Sequence, residues 1–282
     1  MAEEIRNKKT PPSPPREKEM SFWDHLDELR GHLFRSVIAV FVLAVVAFLN
    51  RNILFDEIIL APREPDFWTN RMLCNLSELL HVPALCLPEL NMEIININMS
   101  GQFLTHMYIS LAAGFVLAVP YVIWELFRFV EPAMYDTERR NARGGVVVVS
   151  LLFLIGVVFS YFLIVPLTIS FLGGYQVSGQ VANQITLSSY ISTVVSVSFA
   201  VGLVFELPVL IYFLARLGVV TAAWMRKNRR IMMVVVLVLS AIITPPDVFS
   251  QVMVAIPLLA LYELSIGIAA RVEKQRLLRM DA

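Results

Sequence analysis

Six runs of apolar residues, near 33–49, 101–124, 146–172, 186–215, 231–243 and 248–266, constrain this chain more than anything else in it. A bilayer core about 30 Å thick offers no water to the backbone, so a segment inside it must close its own hydrogen bonds, as a helix does over roughly 20 residues. The composition agrees: 57% of the 282 residues are hydrophobic and 16% charged, against about 25% charged in soluble domains. The expected fold is an all-α integral membrane protein of six transmembrane helices.

Charge placement orients those helices. The chain up to Arg35 carries 7 Lys and Arg, residues 125–145 carry 4, residues 216–230 carry 5 and residues 267–282 carry 4, which leaves only Arg51, Arg63 and Arg71 for the other side. By the positive-inside rule both termini are expected in the cytoplasm. A formal net charge of +0 gives no bulk basicity that would point to nucleic acid as a partner. Residues 1–20 are polar, Pro-rich and mixed in charge, which predicts a disordered cytoplasmic tail instead of a cleavable signal or transit peptide. The six-helix membrane domain is expected over 21–270 and a second cytoplasmic tail over 271–282.

The runs differ in length. The fourth, 186–215, would make a helix about 45 Å long, enough to tilt, to kink at Pro208 or to stand proud of the bilayer. The fifth has 13 residues, about 20 Å of helix, which is too short for the bilayer core unless the membrane thins or the flanking Arg226, Lys227, Arg229 and Arg230 snorkel. The sixth run starts directly after the turn Thr244-Pro245-Pro246-Asp247, so the fifth and sixth helices are both expected to be short and to form a hairpin.

Residues 50–100 form the long external connection, and Pro62, Pro65, Pro83 and Pro88 divide it into short helices and turns. Both cysteines, Cys74 and Cys86, lie in this cap on the oxidising side. They read either as a disulfide or as two small buried hydrophobes. No metal site is expected, because His81 stands alone beside them.

Polar residues in two places stand out. The segment Ser21–Arg35, SFWDHLDELRGHLFR, is amphipathic: Phe22, Leu26, Leu29 and Leu33 share one helix face, while Asp24, Asp27 and Glu28 gather on another. Glu131, Asp136 and Glu138 of the loop 127–143 add carboxylates on the same side. Those acids either keep an interfacial loop wet or receive something basic. Glu206, nine residues before the end of the fourth run, is about 14 Å deep, where an ionisable group reads either as a functional site or as a protonated or hydrogen-bonded glutamate bracing a polar pocket opened by Pro208. Glu263 lies nearer the end of its run and reads as solvated. His25 and His32 could share a helix face and read as surface or packing residues. HExxH, GxSxG and phosphate-loop patterns are absent, so no enzyme and no cofactor are expected.

Four motifs together resemble one family. They are His25-Leu26-Asp27-Glu28-Leu29-Arg30; Phe129-Val130-Glu131-Pro132 with Tyr135 and Glu138-Arg139-Arg140; Phe205-Glu206-Leu207-Pro208; and Thr244-Pro245-Pro246-Asp247-Val248-Phe249-Ser250-Gln251 with Ile256-Pro257 and Leu261-Tyr262-Glu263. In this order, over 22–270, they are similar to TatC, the receptor subunit of the twin-arginine protein translocase of the bacterial inner membrane. Gly31-His32 replaces the usual basic pair after the first motif, Glu131 is an added acid, and the first external loop is longer than expected.

The resemblance implies a receptor for the twin-arginine signal peptides of folded cargo. It would associate with itself and with single-span partner subunits in the bilayer, and use the proton gradient. By the same carry-over Glu28 and Glu138 would hold the signal arginines, with Arg30, Phe129 and Arg139 shaping the patch. Glu206, with Pro208 and Gln251, would form an intramembrane polar site for a partner helix. A fork of two carboxylates suits paired guanidinium groups. The competing reading, a small-molecule or ion transporter coupled through Glu206, calls for an internal repeat that the two halves do not show.

Overall fold

The computed structural model describes residues 22–81, 86, 93–131, 136–178, 180, 183–244 and 248–280; the side chains of 22–26, 136–143, 249–250, 277 and 279–280 are outside the description. The expected N-terminal tail, the turn 245–247 and the motif residues Pro132 and Tyr135 lie outside it too. The order is α1 (Phe22–Leu49), a π-helical turn (Ile53–Ile59), a 3-10 turn (Ala61–Arg63), α2 (Trp68–Leu80), β1 (Ile94–Ile95) and α3 (Gly101–Val130). It continues with α4 (Asp136–Phe159), a π-helical turn (Ser160–Ile164), α5 (Val165–Gly174), β2 (Ile185–Thr186) and α6 (Leu187–Val204). Last come α7 (Leu207–Leu217), α8 (Ala222–Lys227), α9 (Arg229–Ile243) and α10 (Val248–Met280).

Among the described residues five segments are long and apolar enough to cross a membrane: Asp27–Leu49, Gly101–Val130, Gly144–Gly174, Leu187–Arg216 and Gln251–Arg276. The expected fifth span is α9, whose 15 residues make about 22 Å of helix. The expectation of a short sixth helix is overturned, since α10 runs for 33 residues. Its apolar run ends early, but the residues that follow, among them Ala269, Ala270, Glu273, Lys274 and Leu278, are strong helix formers with no proline to stop them.

Small residues set how closely the helices pack. α1 and α3 run antiparallel, and a Cβ on Gly114 would come within 2.7 Å of the Ala44 backbone and side chain, so only glycine admits this approach. α4 and α6 meet in the same way: a Cβ on Gly156 would lie 2.8 Å from the Phe205 side chain and 2.9 Å from Gly202 Cα. The main core lies between the end of α4, α5, α6 and the first half of α10, around Ile164, Ile191, Val197, Val254 and Leu258. A second core, with Ile211, Met225, Tyr262 and Ala269, joins α7, α8 and the second half of α10.

The cap is stitched onto the bundle through hydroxyls. Tyr161 donates to the Ile58 carbonyl at 2.6 Å and Tyr190 to the Ile59 carbonyl at 2.8 Å. A two-residue parallel pairing, Ile94 with Ile185 and Ile95 with Thr186, ties the end of the cap to the start of α6. Cys74 and Cys86 form a disulfide, which selects one of the two readings of that pair.

Candidate functional site

At the end of the bundle away from the cap, the start of α1 lies against the end of α3. Their antiparallel register brings His32 to Glu125, and one turn further it brings Glu28 level with Phe129. Glu125 is only 2% exposed. His32 Nδ1 lies 2.5 Å from its Oε2, Arg35 donates to the same oxygen at 3.2 Å, and Arg128 stands 3.9 Å from Oε1. The Tyr121 hydroxyl also hydrogen-bonds this carboxylate. A buried anion is expensive unless opposite charges and donors surround it, and here they do. The Phe129 ring packs edge-on to His32 at a centroid distance of 6.2 Å.

Above this cluster Glu28 is partly buried, and its Oε2 has no hydrogen-bond partner among the described residues. Arg30 is exposed. Glu138 and Arg139 fall in the first turns of α4, a short connection after α3, and their side chains lie outside the described residues. The geometry thus joins Glu28 and Phe129 to a charged cluster that sequence reasoning missed. Glu125 escaped notice because it stands one residue past the apolar run. The helical spacing Gly114, Ala118, Tyr121, Glu125, Phe129 was the available signal, since it puts Glu125 on the face that α1 covers.

The second site is the break between α6 and α7. Pro208, buried in the first turn of α7, has no N–H to continue the helix, so the fourth apolar run divides at Phe205-Glu206. Both carboxyl oxygens of Glu206 are buried with no side-chain hydrogen-bond partner among the described residues, and the Phe153 backbone N–H is the one donor that acts on them. The neighbouring Phe205 ring packs on Phe159 at 5.4 Å. Gln251 is engaged elsewhere: its amide donates to the Leu237 carbonyl at 2.9 Å and pins α10 to α9. Glu263, expected to be solvated, is half exposed and paired with Arg229 at 2.7 Å. Glu273, which sequence reasoning passed over, accepts from the Ala222 amide at 3.2 Å and holds α8 to α10. No cluster of three metal-ligating side chains occurs among the described residues.

Comparison with known proteins places this geometry. The family model described as Sec-independent protein translocase protein (TatC) matches residues 24–257. The chain belongs to the TatC family. It is 35% identical over 260 residues to the Sec-independent protein translocase protein TatC of Blattabacterium sp. subsp. Periplaneta americana, covering 92% of this chain and 98% of that one. The namesake of Campylobacter jejuni is also 35% identical, over 88% of this chain and 93% of its own. A crystal structure described as the twin arginine translocase receptor TatC in DDM superposes with a TM-score of 0.66 at 32% identity, covering 87% of this chain and 99% of that chain. The protein is therefore a multi-pass component of the Tat translocase in the bacterial inner membrane, and not an enzyme.

Proposed function

We propose that the chain is the receptor that reads twin-arginine signal peptides of folded cargo, with Glu28 and Glu138 as the arginine-binding carboxylates and Arg30, Phe129 and Arg139 around them. The observation that carries this reading is Glu28 itself. One of its carboxylate oxygens is buried without a partner among the described residues, one turn before His32, which contacts Glu125. A pre-positioned acceptor with an unmet hydrogen bond is what a guanidinium fork completes. Glu28→Ala or Glu138→Ala should each weaken signal-peptide binding by about 1.5 to 3 kcal/mol. Binding of a labelled twin-arginine peptide to the purified protein tests this, and unchanged affinity in both variants refutes the assignment.

The topology that goes with this function has six spans, both termini in the cytoplasm, and the cap outside. The count of basic residues supports it. Labelling of single cysteines placed at residues 10 and 97 from either side of the membrane tests it, and equal labelling from one side would refute it.

Glu206 is the docking site for the helix of a single-span partner, in a complex that also contains further copies of this chain. That both its buried oxygens lack a side-chain partner among the described residues supports this, because a polar group on a partner helix would satisfy them. Under docking, Glu206→Gln should be mild and Glu206→Ala should abolish partner crosslinking. Intact crosslinking in the alanine variant rules docking out.

A further inference from the structure

Helix α2 of the cap is amphipathic, yet the molecule covers only part of its apolar arc. Thr69 and Ser77 are buried on the inward side, and Leu73 and Leu76 are partly buried beside them. Trp68, Met72 and Leu79, spaced so as to share one stripe, are 60%, 52% and 77% exposed. Arg71 and Glu78 flank the stripe on the side away from the buried face, and Arg71 pairs with Asp66 at 3.0 Å in the open.

The position of this stripe says what it faces. The Thr69 hydroxyl donates to the Phe162 carbonyl. The residue four further on in that helix is Pro166, which has no N–H to offer it. Phe162 belongs to the membrane-crossing segment Gly144–Gly174, so this bond fastens α2 to the side of a transmembrane helix. Aromatic rings close the joint: Phe67 stacks on Phe162 at 5.6 Å, Trp68 meets the same ring edge-on at 6.0 Å, and Tyr161 adjoins Phe67 at 5.7 Å. One and two turns along the same helix face from Phe162, Val158 and Ile155 are exposed as well. On a multi-pass membrane protein that line of side chains faces lipid.

We propose that α2 is an interfacial helix, with Trp68, Met72 and Leu79 inserted in the lipid leaflet at the cap end. The stripe runs on directly from the lipid-facing line of α4, and its polar atoms are the indole N–H and the amide of the exposed Asn75, which sits in the same line; an apolar stripe with a few polar groups suits the headgroup boundary. The cap is then a part of the membrane surface, and the Arg71 side of α2 is its water-facing side. This inference rests on the membrane location of the chain and not on signal-peptide recognition.

The test uses the full chain carrying Trp23→Phe, Trp124→Phe and Trp224→Phe, so that Trp68 alone fluoresces. It is reconstituted in phosphatidylcholine–phosphatidylglycerol vesicles containing lipids brominated either near the glycerol end or near the tip of the acyl chain. Quenching by the shallow bromines should be roughly twice that by the deep ones, with aqueous iodide acting weakly. Adding Met72→Glu and Leu79→Glu should abolish lipid quenching and expose Trp68 to iodide. A preserved Cys74–Cys86 disulfide in that variant shows that the cap still folds. Strong iodide quenching without lipid quenching in the single-tryptophan protein overturns the proposal. So does shielding from both quenchers that disappears on dilution into excess lipid, the signature of a second copy covering α2.

Discussion

Glu125 and Glu206 both lie within membrane-crossing segments, and their surroundings are opposite. Glu125 has four donor side chains converging on it, from His32, Arg35, Tyr121 and Arg128. Among the described residues no side chain donates to Glu206: its closed-in oxygens have only the Phe153 backbone N–H acting on them, at a break where proline has removed a helical donor. The free-energy cost of an enclosed carboxyl group is met inside the molecule at the first site and left standing at the second. A saturated site has no capacity left for a ligand, so Glu125 acts as a brace that fixes where Glu28 and Phe129 sit. An unsaturated site is one that something outside the chain can complete. If the docking proposal for Glu206 holds, the contrast separates a structural acid from a recruiting one more sharply than depth in the membrane does.

The largest effect that would break this contrast is at the brace. Glu125→Ala leaves the buried His32 and the adjoining Arg35 without their anion, and losing one partner of a buried pair costs about 3 kcal/mol. The figure is at the low end because Arg35 and Arg128 are each 51% exposed and keep their water. A clear fall in Tm of the detergent-solubilised protein is expected, with Glu125→Gln falling less because it keeps an acceptor for His32. Equal melting of wild type and Glu125→Ala would mean that the cluster braces nothing.

Next is the wall beside Glu206. A valine at 156 would drive its side chain into Phe205 and Gly202, which already stand within 3 Å of where its Cβ must go. Overpacking of this kind costs about 2 kcal/mol. It should also shift Phe205 and close the space next to the carboxyl group. Gly156→Val is therefore expected to lower Tm and to weaken crosslinking of a partner helix at Glu206, while signal-peptide binding at the far end of the bundle stays as in wild type. Loss of both functions together would show that the two acids are not independent sites.

What could be read from the sequence here followed from how local each cause is. The break at Glu206 was legible because Pro208 removes a specific N–H, wherever the chain goes. Five of the six expected spans were legible because lipid forces each apolar run to close its own hydrogen bonds. The extent of α10 was not, because apolarity ends near Ala270 whereas the helix is carried on by charged residues of high helix propensity. Glu125 was hidden for a related reason: the apolar run was cut one residue before it, and the face it shares with Gly114 and Ala118 becomes visible only once α1 is known to cover that face. The pairing of Ile94 with Ile185 has no local signal at all, since two-residue strands owe their existence to the tertiary contact that brings them together. Cys74 and Cys86 were legible as a pair but not as a bond, because proximity in space decided it.

The smallest effect has the opposite sign, and it tests the comparison most directly. If the Glu206 oxygens are unpartnered in the free protein, removing them costs the fold nothing and relieves the burial of polar atoms. Glu206→Met, similar in length and apolar, should then raise Tm by a margin worth up to about 1 kcal/mol, and Glu206→Gln should leave it near wild type. A partner helix that completes the site would reverse this order: in membranes containing the partner, the methionine variant should be the worse one, with crosslinking lost despite the greater stability of the isolated chain. A methionine variant that melts below wild type would show that Glu206 already has a partner within the chain. It would then be a second brace like Glu125, and the recruiting role would have to be sought elsewhere in the bundle.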